Sequence, residues 1–197
     1  MNMKQFMAIF MVVLMLGTGL VLATEPAGSD NTITIDEDNS HTFVEADFSF
    51  SDSDGDSLSS VNIGTTVSVG SLDLSGTPVS SSDIISVADI TAGNLVFTPV
   101  TDDEGTSYDT FTFTLTDDGA VSGTPETSIT PNTITIDVTA INDDPVLTTI
   151  GDQNTNEDEV FSLSITSTDV DAGDVLTVIA TTSSSSLDTD GDSNVDS

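Results

Sequence analysis

The feature that most constrains this chain is its nearly complete lack of positively charged side chains. Among 197 residues, 34 are Asp or Glu and a single one is Lys or Arg, which gives a formal net charge of -33 at pH 7. That one base is Lys4, so ion pairs in the rest of the chain depend on the amino terminus and on His41. Self-repulsion on this scale opposes a compact state. The carboxylates must therefore face water, carry protons or share cations.

The same charge argues against two classes of partner. Nucleic-acid binding rests on Lys and Arg contacts with phosphate, and anionic membrane surfaces repel an acidic chain for the same reason. Disorder is the alternative to a folded domain, since acidic chains rich in Ser and Gly often stay unfolded. Hydrophobic residues make up 36% of the chain and Cys is absent. The regular alternation of those hydrophobic residues favours folding, but without disulfides to stabilise it.

Residues 1–23 are predicted to form a secretory signal peptide. Lys4 supplies the positive n-region, residues 6–16 are apolar without interruption, and residues 21–23 suit cleavage after Ala23. The alternative is an uncleaved membrane anchor, because residues 6–22 are at the short end of the ~17–25 residues that a membrane helix needs. In either case we expect the remainder to be secreted or displayed at the cell surface.

Beyond residue 31, apolar residues recur with a period near two, which is typical of half-buried strands. Phe48 and Phe50 alternate in this way, and no helix is predicted outside the leader. About seven or eight short strands separated by Gly, Pro, Asp and Ser predict an all-β fold, an immunoglobulin-like or cadherin-like β-sandwich. The predicted core comprises Ile33, Ile35, Phe48, Phe50, Leu58, Leu72, Leu74, Leu95, Phe97, Phe111, Phe113, Leu115, Ile134, Ile136 and Val138.

An internal repeat predicts two domains in tandem. Glu37-Asp38 recurs as Glu157-Asp158, and the acid-rich residues 52–58 recur as residues 169–176. We therefore predict a first β-domain over residues 24–144 and the start of a second, incomplete one over residues 145–197.

The joint between the two domains is predicted at residues 140–145. Asn142, Asp143 and Asp144 carry side-chain oxygens, which are the hard ligands that calcium prefers. Pro145 stiffens the exit from this segment. The joint is thus a candidate calcium site, with a solvated acidic turn as the alternative.

Two further acidic segments are candidate ligand sources. The loop of residues 52–56 contains Asp52, Asp54 and Asp56, again with the oxygens that calcium prefers. Asp117 is a candidate ligand in Asp117-Asp118-Gly119, although Asp-Gly is also a strong signal for a plain turn.

Several motifs occur in an order that resembles the tandem cadherin-like repeats of large bacterial surface and secreted proteins. They are residues 52–58, the run Ile90-Thr-Ala-Gly93-Asn-Leu95-Val-Phe97-Thr-Pro99, the run Tyr108-Asp-Thr-Phe111-Thr-Phe113, and Ile141-Asn-Asp-Asp-Pro145. The resemblance covers the chain from about residue 30 to residue 145. It implies a β-sandwich, calcium between repeats, and roles in adhesion, biofilm or surface architecture, with other cell-surface proteins or glycans as partners.

The resemblance also implies which residues hold calcium. In cadherin-like repeats the ligands come from an N-terminal Glu, an Asp-x-Asp loop and an Asn-Asp linker. The chain departs from animal cadherins at Ala140, where they carry Asp, and it lacks an Asp-Arg-Glu motif because it has no Arg. The matching positions are Glu37, Asp52, Asp54, Asn142 and Asp143, with Glu157, Asp169 and Asp171 in the second repeat.

No catalytic role is predicted. His41 is the single histidine, and no spacing places it in a nucleophile–base arrangement. The expected function is a calcium-stiffened spacer module that is secreted or displayed at the cell surface. The alternatives are a salt-adapted acidic surface protein without specific calcium sites, and a non-catalytic part of a larger secreted enzyme.

Overall fold

The computed structural model describes residues 23–156 and 159–179. The chain divides into two compact units, Met1–Ile141 (unit 1) and Asn142–Ser197 (unit 2). Strands predominate over helices in the described residues, in agreement with the predicted all-β class. No helix among these residues is long and apolar enough to cross a membrane. Residues 1–22 of the predicted leader, together with Glu157, lie outside the described part.

Unit 1 contains nine strands and one short α-helix among its described residues. In chain order the elements are β1 (Asn31–Asp36), β2 (His41–Thr42), β3 (Leu58–Thr65), β4 (Ser71–Leu74), β5 (Thr77–Pro78), β6 (Ile84–Ser86), α1 (Val87–Thr91), β7 (Leu95–Thr98), β8 (Gly105–Asp117) and β9 (Asn132–Thr139).

The strands of unit 1 form two sheets. The five-stranded sheet has the order β1-β9-β8-β3-β6, and the four-stranded sheet has the order β2-β7-β4-β5. Strands β1 and β9 pair in parallel, whereas the other pairs in these two sheets are antiparallel. The first and last long strands of the unit are therefore neighbours.

A single hydrophobic cluster receives side chains from both sheets. Strand β8 places Phe111, Phe113 and Leu115 in it with no exposed surface, while the intervening Thr residues face away, as the two-residue period of a strand requires. Phe111 packs edge-to-face on Phe43, with ring centroids 5.5 Å apart. Phe113 packs in the same way on Phe48 at 5.1 Å, a geometry that aromatic pairs prefer.

The predicted core residues all belong to this cluster, although Ile35, Phe50 and Leu74 are only partly buried at its edge. Other buried members were not among the predicted core residues, namely Phe43, Val61, Ile63, Val79, Ile85 and Ile90.

The strand predicted around Phe48 and Phe50 is wrong. Glu45–Phe48 forms a 3-10 helix, because Asp47 Oδ2 accepts a hydrogen bond from the Val44 amide at 2.9 Å. A short Asp side chain that bonds nearby backbone in this way competes with strand geometry. Phe48 still reaches the core, but from a helical turn.

The absence of helices outside the leader was also a wrong prediction. Helix α1 begins after Ser86, whose Oγ accepts a hydrogen bond from the Asp89 amide at 3.1 Å, as a helix N-cap does. The helix buries Ile90. At five residues, it is too short to produce a periodic apolar stripe in the sequence.

Unit 2 is described over residues 142–156 and 159–179. Two short antiparallel strands lie in it, β10 (Val146–Leu147) and β11 (Ser167–Thr168). Within these ranges no apolar side chain is fully buried, and Val160 and Val175 are almost completely exposed.

Candidate metal site in the first acidic loop

The first acidic loop, residues 52–56, leads into β3 and turns tightly around Asp52. The Oδ1 atom of Asp52 accepts hydrogen bonds from the amides of Asp54 at 3.1 Å, Gly55 at 2.9 Å and Asp56 at 3.0 Å. Asp side chains stabilise turns by bonding to following amides in this way. Gly55 has φ +94°, a conformation that glycine adopts without steric cost. Local sequence thus accounts for the shape of the loop.

Partners from elsewhere in the chain enclose the first acidic loop. Asp56 is 5% exposed, and its carboxylate accepts hydrogen bonds from the amides of Val121 and Ser122. These residues belong to the covering loop, residues 118–126, which follows β8. A further hydrogen bond lies directly after the first acidic loop, where the Asp118 amide of the covering loop donates to the Ser57 carbonyl at 2.9 Å.

Asp54 is held from a third direction. Its Oδ2 atom accepts a hydrogen bond from the amide of Thr24 at 2.9 Å. The segment that contains Thr24 is itself anchored, because Ala27 and Ser51 exchange two backbone hydrogen bonds of 2.8 Å. The first acidic loop is therefore bounded by the N-terminal segment and by the covering loop.

Two carboxylate oxygens remain without a hydrogen-bond partner in this loop. Asp52 Oδ2 and Asp54 Oδ1 are both buried and accept no hydrogen bond. One oxygen each from Asp52, Asp54 and Asp56 lies within 4.8 Å of the others. Burying a carboxylate oxygen without a donor or a cation is costly, so the arrangement favours a positive ion among the three side chains.

The pKa directions in the loop reflect this crowding. The Asp52 and Asp54 carboxyl groups lie against each other, and this contact lowers the pKa of Asp52 and raises the pKa of Asp54. Burial opposes ionisation of Asp56, but hydrogen bonds from Ser122 and Val121 outweigh it and lower its pKa. Adjacent carboxylates disfavour the ionisation of both groups, and a cation bound between them removes that cost.

The donor set consists of carboxylate oxygens alone. Oxygen ligands of this type suit hard cations such as calcium, which takes 6–8 oxygens at flexible geometry. Zinc in structural sites prefers Cys and His, and neither is among the three ligating side chains. Asp52, Asp54 and Asp56 could hold a calcium ion, with further oxygens from water or backbone completing the shell.

Asp117 lies close in sequence to the covering loop and has a different arrangement. It is fully buried at the end of β8, and its Oδ1 atom accepts hydrogen bonds from the amides of Gly119 at 3.0 Å and Glu126 at 2.9 Å. Its Oδ2 atom is buried without a partner. Asp117 thus fixes the two ends of the covering loop, and it does not join the three carboxylates that lie within 4.8 Å of one another.

The second acidic loop, residues 169–174, is a comparable group within unit 2. Asp169, Asp171 and Asp174 each bring one oxygen within 4.8 Å of the others. The Asp171 amide donates to Asp169 Oδ1 at 3.1 Å, and Asp171 Oδ2 accepts from the Asp143 amide at 2.7 Å. Asp174 was not predicted as a ligand, although it is the third acid of the repeated motif and could have been found from that alignment.

The residues predicted to hold calcium at the joint belong to both units. In unit 1, Glu37 is buried and its Oε1 atom accepts a hydrogen bond from the Ile141 amide at 2.7 Å. In unit 2, Asn142 donates from Nδ2 to the Asp143 carbonyl at 2.7 Å. Glu157 lies outside the described residues. Calcium binding at the joint stays a prediction.

No match to the chain was found among protein-family models, among curated proteins or among solved structures. The likeness to cadherin-like repeats therefore rests on the motifs in the sequence.

Proposed function

We propose that this chain is a secreted or cell-surface module whose first acidic loop binds calcium, built as a cadherin-like β-sandwich repeat in tandem with a second repeat. The observation that carries the proposal is the pair of buried carboxylate oxygens, Asp52 Oδ2 and Asp54 Oδ1, that accept no hydrogen bond. A calcium ion there would replace their mutual repulsion with coordination. It would stabilise only the folded form, in which the three carboxylates converge.

The charge of the whole chain supports the choice of a cation as the ligand. With a formal net charge of -33, the folded state gains from any cation that it binds better than the unfolded state does. Lys and Arg side chains cannot neutralise the carboxylates, because Lys4 is the one Lys or Arg in the sequence. An extracellular compartment, where the predicted leader would direct the chain, contains calcium as a ready counter-ion.

The shared local geometry of the two acidic loops supports a tandem repeat. In each loop the amide two residues after the first Asp donates to its Oδ1 atom at 3.1 Å. In each loop a glycine with positive φ follows, Gly55 at +94° and Gly173 at +107°. The β-sandwich is supported by the two sheets of unit 1 that share one hydrophobic cluster.

The module would serve as a calcium-stiffened spacer in adhesion or surface architecture. Its partners besides calcium would be other cell-surface proteins or glycans, as the resemblance implies. No catalytic chemistry enters this proposal.

Thermal unfolding of residues 24–197 tests the calcium site. We expect saturating calcium to raise the midpoint by roughly 10 °C over chelator, given the linkage between binding and unfolding. Asp52→Asn combined with Asp54→Asn should remove most of that rise. Glu104→Gln is the matched control, because Glu104 is an exposed acid of unit 1 and its loss changes the charge without touching the loop.

Sodium and magnesium at equal ionic strength complete the experiment. If sodium reproduces the whole rise, the chain is a salt-adapted acidic protein without a specific calcium site, and the proposal fails. If calcium alone raises the midpoint and the double variant does not respond, the site in the first acidic loop is established.

A further inference from the structure

The N-terminal segment of unit 1 is docked along residues 51–54. Thr24 contributes two contacts, from its amide to Asp54 Oδ2 at 2.9 Å and between its Oγ1 and the Ser53 Oγ at 2.8 Å. Pro26 is buried, and Ala27 exchanges its two backbone hydrogen bonds with Ser51. These contacts fix the position of the Thr24 nitrogen beside Asp54.

The predicted cleavage site lies directly before this nitrogen. Hydrolysis of the Ala23–Thr24 peptide bond consumes one water molecule. The Ala23 carbonyl becomes a carboxylate that leaves with the leader, and the Thr24 nitrogen becomes a primary amine. Since α-amino groups ionise at about 7.7–8.0, this amine is mainly an ammonium at pH 7. Cleavage thus places a positive charge where the uncleaved chain has a neutral amide.

We propose that removal of the leader supplies Asp54 with its counter-ion, the α-ammonium group of Thr24. The sequence offers few alternatives for this role, because Lys4 is the one Lys or Arg and it leaves with the leader. His41 carries charge only when protonated, and its Nε2 atom already contacts Asp47 Oδ2 at 3.0 Å. Leader cleavage therefore creates an ion pair that no other residue of the chain can provide at this loop.

The ion pair has a structural effect that the precursor lacks. An ammonium donor makes a charge-assisted hydrogen bond to a carboxylate, and such bonds are roughly twice as strong as neutral ones. Thr24 is exposed, so solvent screens part of the gain. The ammonium pairs with Oδ2 of Asp54 and leaves Oδ1, which is buried and accepts no hydrogen bond, unoccupied by it. The inference rests on leader cleavage after Ala23 and is independent of calcium binding.

The mature chain allows a clean test, because it contains no Lys. A cleavable fusion that leaves Thr24 as the native first residue yields residues 24–197 with one amine, the α-amine. Acetylation at neutral pH then modifies that amine, removing its charge and keeping an N–H donor. Thermal unfolding of the free and the acetylated chains is compared in chelator and low salt. We expect the acetylated chain to unfold about 2–4 °C lower.

Two further measurements assign the effect to Asp54. In Asp54→Asn the difference between the free and the acetylated chains should vanish, whereas Glu104→Gln should preserve it. In ~1 M sodium chloride the difference in the unmodified sequence should shrink, since the Debye length falls to about 3 Å. The salt measurement needs no variant, so it stands even if Asp54→Asn folds poorly.

Equal midpoints for the free and the acetylated chains in low salt would overturn the proposal. A difference that persists unchanged in Asp54→Asn would overturn it as well, because the ammonium would then act through another group. Chelator is present throughout, so a chain that fails to bind calcium can still show the ion pair. A chain that binds calcium can equally lack the ion pair. Failure of this proposal is therefore distinguishable from failure of the calcium proposal.

Discussion

The first and second acidic loops carry similar acids in different surroundings. Both begin with an Asp whose Oδ1 atom accepts the amide two residues later at 3.1 Å. In the first loop the third acid, Asp56, is 5% exposed and accepts two amides of the covering loop. In the second loop the third acid, Asp174, is exposed. The same local turn is therefore present in both loops, and in each the middle acid accepts a distant amide. The loops differ at the third acid, which distant backbone encloses in the first loop and which is exposed in the second.

Local sequence therefore sets the turn, while distant backbone determines whether its third acid is buried. The amides that enclose the first loop come from Thr24, Val121 and Ser122, at sequence separations of 30, 65 and 66 residues from the acids that accept them. A cluster of carboxylates enclosed in this way would be the better metal site, since its ligands would be held in place before an ion arrives. The contrast leads to three predictions.

The largest expected effect concerns the covering loop. Gly119 has φ +58°, and a Cβ there would lie 2.4 Å from Pro125 N and from the Thr124 carbonyl carbon. Gly119→Ala should therefore lower the free energy of unfolding by about 3 kcal/mol or more, from left-handed strain and overpacking combined. Urea denaturation of residues 24–197 measures this loss.

Gly123→Ala is the matched control for that change. Gly123 also has positive φ, +92°, but a Cβ there would meet nothing within 4 Å. Its cost should be limited to about 1–2 kcal/mol of backbone strain. Equal costs at the two positions would mean that the covering loop is not closely packed, and the contrast between the acidic loops would lose its physical basis.

A smaller effect is expected from the third acid of each loop. Asp56→Asn replaces a carboxylate oxygen that accepts an amide with an NH2 group that cannot, so the midpoint in chelator should fall by about 5 °C. Asp174→Asn should change it by about 1 °C or less, because surface substitutions have little effect. Thermal unfolding of both variants measures the two changes in midpoint. A similar loss in both would show that enclosure by the covering loop adds no stability.

The smallest effect is a pH dependence in the first loop. Contact with Asp52 and burial raise the pKa of Asp54 above its ordinary value of 3.8. The folded state then holds its proton to higher pH than the unfolded state does, so stability falls as pH rises from 3.8 through the raised pKa. In chelator, and with the α-amine of residues 24–197 acetylated so that Thr24 keeps a neutral amide, the midpoint should therefore fall relative to the equally acetylated Asp54→Asn over that interval.

Calcium should reverse this trend, because the ionised carboxylate is the ligand. A constant difference between the acetylated chain and acetylated Asp54→Asn over the whole interval would argue against a raised pKa at Asp54.

Sequence patterns predicted the buried positions of strands whose apolar and polar residues alternate regularly. The alternation of Phe111, Phe113 and Leu115 identified buried positions correctly, since a strand alternates faces at every residue. The same reasoning predicted the burial of Phe48 correctly but its strand wrongly, because Asp47 imposes a helical turn there. Phe43 was missed because it comes directly after the two-residue strand β2, which is too short to show a period.

The candidate site was predictable to a similar extent. The spacing of Asp52, Asp54 and Asp56 predicted that they lie together, because carboxylate side chains can be read directly from the sequence. The donors that enclose them were not found, since Val121 and Ser122 contribute backbone amides that any residue carries. The position of Thr24 depends on Ala27 pairing with Ser51, which no local pattern reveals.

The parallel pairing of β1 with β9 determines how unit 1 responds to tension. The ladder extends from Asn31 opposite Ile134 to Asp36 opposite Thr139. The chain enters β1 at one end of this ladder and leaves β9 at the other. A pull on the two ends of the unit therefore slides the strands past each other along their length. All the hydrogen bonds between them resist together, in shear, whereas in a peeled hairpin they would break one after another.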